Sequence, residues 1–249
     1  MLLGSDTRSE TFTLPTLVVA VSDVRDKYLL QWLTETTLEF SKMGSNVIVL
    51  HISETGEHIA EIDVPLGPDF TWSFVVRPKG SKGIGNTIKH FVKTKQAHAL
   101  IVGKSSSKLS HYLARCDCGC PVVLVEKTDP GNYSRVFLPV IANTQSHHAL
   151  KWIIPCVPTC QIYLVHQYAS QPKKARKLLQ SFTKDAPKFR TLAIKVDLGI
   201  ATVIDGLRVH YFNEGKDFQM IAPKKSFRGA KIGNSLTTML NLPLTTIVF

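Results

Sequence analysis

A serine-rich turn between two apolar runs is the stretch of this sequence best suited to hold a ligand. Residues 97–126 read AHALIVGKSSSKLSHYLARCDCGCPVVLVE, an order that predicts a strand, a turn, a helix and a second strand. At such a turn, hydroxyl groups and backbone amides near a helix N-terminus can donate hydrogen bonds to an anion. We therefore predict anion-binding roles for Gly103, Ser105, Ser106 and Ser107.

The end of the chain repeats this arrangement in a weaker form. Residues 220–249 follow the same order of elements, and IAPK at 221–224 stands 120 residues after IVGK at 101–104. A repeat at this spacing predicts that the chain consists of two halves built in the same way. The corresponding candidate residues of the second half are Lys224, Lys225, Ser226, Gly233, Asn234 and Ser235.

Basic side chains crowd this second loop. Arg228 and Lys231 accompany Lys224 and Lys225, and residues 233–235 would begin a helix whose positive dipole end lies close by. We expect the loop to bind an anion at the C-terminal edge of a sheet, where α/β folds place their ligands. The alternative is that these cations point outward and only keep the protein in solution.

A second basic feature is a predicted amphipathic helix over residues 172–183. Such a helix can lie on an anionic membrane or on nucleic acid. Alternatively, its apolar face packs on the sheet and its cations are only solvated. The apolar face comprises Ala175, Leu178, Leu179 and Phe182, and the cationic face comprises Lys173, Lys174, Arg176 and Lys177.

The positive charge of the chain is concentrated in its second half. The net charge is +11, and residues 1–127 carry 14 Lys and Arg against 13 Asp and Glu, whereas residues 128–249 carry 16 against 6. This asymmetry favours an acidic partner for the second half, such as nucleic acid, anionic lipid or an acidic protein. A solvated basic surface with no partner would have the same composition.

Alternating strand and helix patterns predict an α/β protein with parallel strands and right-handed crossovers. The turn-rich residues 129–134 predict a boundary between a first domain at 16–128 and a second domain at 134–249. No apolar run approaches the ~18 residues of a membrane helix, and the first residues lack the order of a signal peptide. We therefore expect no transmembrane segment and a cytoplasmic location, with a nuclear location left open.

Short motifs in both halves resemble the universal stress protein family. Ser146, Ala149, Leu150 and Trp152 match the spacing of the family's first strand and helix, and CPVVLVE at 120–126 is similar to its last strand. The resemblance covers nearly the whole chain after residue 15. It implies two tandem domains, each a five-stranded, mainly parallel sheet with helices on both faces. We expect two separate sheets whose last strands, at 121–126 and 244–249, meet across the internal interface, and a homodimer of the chain remains open.

The resemblance also implies an adenine-nucleotide site whose motif has changed. Family members that bind ATP carry an Asp at the position of Ser22, beside Asp23, and their G-x-x-G becomes GKSS at 103–106. The lost second glycine removes a position that tolerates positive φ and the close approach of a phosphate. We expect weak binding of ATP or AMP through the serine hydroxyls of the first half or the lysines of the second. The implied role is a non-catalytic module of stress response or signalling.

The remaining motifs favour neither a metal site nor an enzyme. A P-loop would need glycine at position 98, which is His98. Cys116, Cys118 and Cys120 could ligate a soft metal, but no second Cys/His pair at zinc spacing accompanies them. The competing hypothesis is a binding module that uses the basic second half against an anion, and an enzyme acting on adenine nucleotides comes third. A role beside a membrane transporter also remains open.

Overall fold

The computed structural model of the chain describes residues 15–21, 46–54, 71–104, 108–126, 135–139, 147–152, 161–168, 172–183, 189–195, 218–222, 240 and 245–249. The sequence also predicts helices at 25–43 and 202–212, and both lie outside these residues. Among the residues described, no helix combines the length and the apolar character that a membrane crossing requires.

The described residues form ten strands and three helices with defined first and last residues. The strands are β1 (Thr16–Val21), β2 (Asn46–Ser53), β3 (Thr71–Pro78), β4 (Ala99–Gly103), β5 (Val122–Val125), β6 (Arg135–Pro139), β7 (Gln161–Tyr168), β8 (Phe189–Lys195), β9 (Phe218–Ala222) and β10 (Thr245–Val248). The helices are α1 (Ile84–Thr94), α2 (Lys108–Arg115) and α3 (Pro172–Thr183), and residues 147–152 are also helical.

The ten strands form one sheet with the order β3-β2-β1-β4-β5-β10-β9-β6-β7-β8. Read from its two outer edges toward its centre, each half of this sheet has the same strand order. Neighbouring strands within each half are parallel. The central pair is antiparallel, and it places Ile247 of β10 opposite Val123 of β5.

The expectation of two separate sheets is wrong, although the last strands meet as predicted. β5 and β10 pair directly, and this pairing continues the hydrogen-bond ladder from one half into the other. An edge strand exposes a row of unpaired backbone N–H and C=O groups. When two edge strands pair, the exposed groups of each strand form hydrogen bonds with those of the other. The antiparallel join also reverses the strand direction. The carboxyl ends of the first-half strands therefore lie at the opposite edge of the sheet from those of the second half.

The centre of the sheet is buried on both faces. Leu17–Val21 of β1 are all buried, as expected for a parallel strand that is covered on both sides. Successive side chains of a strand point to opposite faces, so Val18 and Ala20 join one core cluster while Val19 and Val21 join the other. The core therefore consists of two layers separated by the sheet.

Different helices cover the two layers. Phe91 of α1 and Leu113 of α2 belong to the first cluster, on one face of the sheet. Leu179 and Phe182 of α3 belong to the second cluster, on the other face, and the Phe182 ring stacks on His147 with ring centroids 4.0 Å apart. The apolar spacing that predicted α3 is therefore the spacing that buries it.

Helices α1 and α2 pack closely because Gly85 faces Tyr112. A Cβ atom at Gly85 would lie 2.6 Å from the Tyr112 ring, so a larger residue would require a shift. The Tyr112 hydroxyl donates a hydrogen bond to Asn86 Oδ1 at 2.9 Å. These contacts fix the first turn of α1 against α2.

Candidate functional site

The carboxyl ends of the first-half strands align at one edge of the sheet. Val21 of β1 is paired with His51 of β2, and Gly103 of β4 is paired with Val125 of β5. His51 is buried there, with its Nδ1 atom 3.3 Å from the Val21 carbonyl oxygen. Gly103 thus lies at the edge where the sequence predicts an anion. The candidates that follow these strands, Ser22, Asp23, Ser105, Ser106 and Ser107, lie outside the described residues.

A largely buried ion pair closes the end of β4 and β5. Lys104 Nζ lies 3.7 Å from Glu126 Oε2, and the two side chains are only 8% and 18% exposed. The Lys104 amide donates to the Val125 carbonyl oxygen at 2.6 Å, and the Glu126 amide donates to Thr245 Oγ1 of β10 at 3.0 Å. We call Gly103, Lys104 and Glu126 the carboxyl-edge site. Its cation is directed at a carboxylate of the same chain.

The strand that precedes the second predicted loop ends at the other end of the sheet. Strand β9 ends at Ala222, at the edge opposite Gly103, because the join between β5 and β10 is antiparallel. Gly103 and Ala222 therefore lie at opposite ends of the strands of this sheet. The loop candidates Lys224, Lys225, Ser226, Arg228, Lys231, Gly233, Asn234 and Ser235 lie outside the described residues.

The cationic face of α3 is exposed and its apolar face is covered. Leu179 and Phe182 are buried in the core, and Leu178 packs against them. The interpretation in which the apolar face packs on the sheet is confirmed, so this face is not available to enter a membrane. The exposed cations are Lys173, Lys174, Arg176 and Lys177.

A basic groove beside α1 was missed by the sequence analysis. It has a volume of about 440 Å³ and no carboxylate in its lining, which consists of Gly80, Ser81, Lys82, Asn86, Thr87, Lys89, His90 and Lys93. The sequence carries a signal for it, because residues 70–116 contain nine Lys and Arg but no Asp or Glu. We call it the α1 groove.

Local hydrogen bonds shape the mouth of the α1 groove. Thr87 Oγ1 accepts a hydrogen bond from the Gly80 amide at 3.0 Å and donates one to the Gly83 carbonyl oxygen at 3.1 Å. Asn86 Nδ2 donates to the Lys82 carbonyl oxygen at 2.9 Å. Gly83 has φ of +86°, a conformation that suits glycine. Hydrogen bonds with the first turn of α1 therefore hold the loop that precedes this helix.

At Lys93, the α1 groove borders the loop at residues 116–120, which we call the cysteine-rich loop. Lys93 Nζ lies 2.9 Å from Asp117 Oδ2. The hydrogen bond with Asp117 raises the pKa of Lys93 above its ordinary value, and the nearby Cys118 and Cys116 act in the same direction. Because a raised lysine pKa favours the charged form in the folded state, this pair persists at neutral pH and is lost as pH rises through the raised value.

The described residues contain no group of three or more His, Cys, Asp or Glu side chains arranged to hold a metal ion. In the cysteine-rich loop, Cys116 Sγ lies 3.1 Å from Cys118 Sγ. Cys118 is buried, whereas Cys116 and Cys120 are partly exposed.

Comparisons with known proteins identify the fold. No protein-family model matches the chain, and no curated protein matches it. The chain is similar to a universal stress protein from Archaeoglobus fulgidus, with a TM-score of 0.67, 10% identity, and coverage of 94% of this chain and 95% of that one. It is also similar to a putative universal stress protein from Pseudomonas aeruginosa, with a TM-score of 0.61, 14% identity, and coverage of 95% and 93%.

A third similar structure is the cytoplasmic domain of a prokaryotic cation chloride cotransporter. Its TM-score is 0.58 at 10% identity, and the match covers 95% of both chains. Together these likenesses show that the chain has the fold of universal stress proteins.

Proposed function

We propose that this chain is a tandem universal-stress-protein-like module that acts in stress response or signalling without catalysis. Its two domains are residues 16–128 and 134–249. The fold shared with universal stress proteins supports this proposal, as does the strand order that is repeated on the two sides of the β5–β10 pair. The module is cytoplasmic.

The module retains only a degenerate adenine-nucleotide site, and the Lys104–Glu126 pair is the observation that carries this proposal. In an open α/β sheet the ligand crevice lies beyond the carboxyl ends of the strands, which is where this pair lies. A phosphate there would meet a carboxylate, and Lys104 is already directed at Glu126. ATP or AMP therefore binds weakly, with the serine hydroxyls of the first half or the lysines of the second replacing the lost amides.

Neutralising Glu126 should strengthen ATP binding. We expect Glu126→Gln to tighten the dissociation constant about fivefold, which corresponds to removing about 1 kcal/mol of like-charge repulsion near a protein surface. Titration calorimetry of the parent chain and the variant measures the difference. Glu54→Gln is the matched control, because Glu54 is exposed and pairs with Lys79 at 3.1 Å. Equal ATP affinities in Glu126→Gln and Glu54→Gln would contradict the role of the carboxyl-edge site.

The second candidate function is an anion-binding module, and two exposed basic surfaces favour it. One is the cationic face of α3, and the other is the α1 groove. Because the apolar face of α3 is buried, contact through this helix would be purely electrostatic. Nucleic acid supplies the required row of phosphates. The similar cotransporter domain suggests a related setting, in which the module works beside a membrane transporter.

The salt dependence of binding distinguishes the two basic surfaces. We expect single-stranded DNA to bind through α3, so the double variant Lys173→Ala with Lys177→Ala should flatten the log–log salt slope by about 1.4, at ~0.7 per phosphate contact. Lys82→Ala with Lys89→Ala in the α1 groove is the matched control. If the log–log salt slope flattens only in this control variant, single-stranded DNA binds at the α1 groove and not at α3. Unchanged slopes in both variants would exclude both surfaces.

A further inference from the structure

The loop between α2 and β5 holds two cysteines in near contact. Cys116 follows the last residue of α2, and its amide donates to the Tyr112 carbonyl oxygen at 2.9 Å. One residue later, Asp117 accepts a hydrogen bond from the Gly119 amide at 3.0 Å. Gly119 has φ of +80°, so the loop depends on glycine at this position. The Asp117 carboxylate also binds Lys93, which ties the loop to α1.

This geometry places two sulfur atoms within reach of a bond. Cys116 Sγ and Cys118 Sγ are 3.1 Å apart, about 1 Å more than the ~2.05 Å of a disulfide. Both sulfurs also lie near the Leu113 carbonyl oxygen, at 3.5 and 3.8 Å, which shows that they occupy the same side of the loop. The two sulfurs therefore lie close enough for oxidation to join them.

We propose that Cys116 and Cys118 are a thiol modification site that hydroperoxides oxidise to a reversible disulfide. Cys116 is the partly exposed member, so its thiolate attacks the peroxide, releases an alcohol or water and becomes a sulfenic acid. The Cys118 thiol then attacks this sulfur and water leaves. In balance, two thiols and one hydroperoxide give one disulfide, one alcohol or water, and one water. This inference does not depend on the proposed nucleotide site.

The surroundings of the two thiols suit both steps. Asp117, which stands between the two cysteines in sequence, holds the Lys93 ammonium beside the loop, and a nearby cation favours the reactive thiolate. Cys118 is 1% exposed, so it is protected from peroxide and acts only on its neighbour. A disulfide that closes over a single intervening residue is strained, and strained disulfides are readily reduced. A cellular dithiol would therefore restore the two thiols.

Peptide mapping after oxidation tests the proposal on the intact chain. Trypsin cleaves after Arg115 and Lys127, so residues 116–127 form one peptide that contains Cys116, Cys118 and Cys120 and is separate from Cys156 and Cys160. The protein is treated with hydrogen peroxide, denatured in acid and alkylated with iodoacetamide. We expect this peptide to carry one alkyl group, on Cys120, and to lack two hydrogens. Prior treatment with dithiothreitol should restore three alkyl groups.

Two serine variants keep the proposal falsifiable. Cys120→Ser should form the disulfide at the rate of the parent chain, whereas Cys118→Ser should form none within the peptide and should accumulate oxidised Cys116. A disulfide between Cys116 and Cys120 in Cys118→Ser, formed as fast as in the parent chain, would overturn the assignment. So would a peptide of the parent chain that takes up three alkyl groups after peroxide treatment.

The rate of peroxide oxidation tests the role of Lys93 separately. Lys93→Met should slow peroxide oxidation about threefold or more, because fewer Cys116 side chains are thiolates at neutral pH. Lys95→Met, at the same end of α1, should leave the rate unchanged. Equal oxidation rates in the two variants would overturn the role assigned to the Lys93 ammonium group.

Discussion

Replacing Lys104 with Met should lower the free energy of unfolding by about 2 kcal/mol. The substitution leaves the Glu126 carboxylate without the ammonium group 3.7 Å away, in a place where only 18% of the glutamate side chain reaches solvent. Breaking a fully buried ion pair costs about 3–5 kcal/mol, and the residual hydration of Glu126 lowers this cost. Urea unfolding of the intact chain at neutral pH measures the loss.

Two further variants isolate the effect of burial. Lys79→Met breaks an ion pair whose side chains are 44% and 72% exposed, and it should cost no more than about 0.5 kcal/mol. The double variant Lys104→Met with Glu126→Leu should recover most of the loss, because neither charge then remains. If Lys104→Met and Lys79→Met cost the same, the Lys104–Glu126 pair is not buried.

Replacing Ile247 with Ala should lower the free energy of unfolding by about 3 kcal/mol, as expected for a cavity left by a large-to-small change in a core. Ile247 is fully buried and lies opposite Val123 in the antiparallel pair that joins the two halves. Because β10 pairs with β5 of the first half and with β9 of the second, the substitution should lower the stability of both halves. Urea unfolding followed by tryptophan fluorescence measures it in two backgrounds, one that keeps only Trp72 on β3 and one that keeps only Trp152 beside Phe249, so each half is observed separately.

Ile84→Ala provides the matched control for this prediction. Ile84 begins α1 and is only partly buried against the core, so its truncation should cost about 1 kcal/mol. An equal cost for Ile247→Ala and Ile84→Ala would contradict the central position of β10. A loss confined to one half of the chain would contradict the shared ladder.

The local elements of this fold could be predicted from the sequence because their signals are local. Strand β1 is a continuous apolar run, and α3 has the predicted bounds because its apolar residues recur at helical spacing up to Phe182. The meeting of β5 and β10 was also predicted. Their direct hydrogen bonding into one sheet was not, because it depends on how two distant edge strands approach each other.

The candidate site was predictable only in part. Gly103 ends a strand, as predicted, and the cations of α3 are exposed. The pairing of Lys104 with Glu126 was missed because it requires the parallel register of β4 and β5. The α1 groove was missed for a similar reason, since Lys82, Lys89 and Lys93 converge only after α1 and its preceding loop have formed. When charged residues are far apart in sequence, the sequence alone does not show which of them become neighbours in the folded chain.

Titration calorimetry of the intact parent chain with ATP, at physiological ionic strength, tests the degenerate nucleotide site most directly. We expect a dissociation constant weaker than about 100 μM, equivalent to a binding free energy of no more than about 5.5 kcal/mol in magnitude, and no release of phosphate during the titration. A dissociation constant of about 1 μM or tighter would contradict it, because a competent phosphate site would then exist despite the Lys104–Glu126 pair.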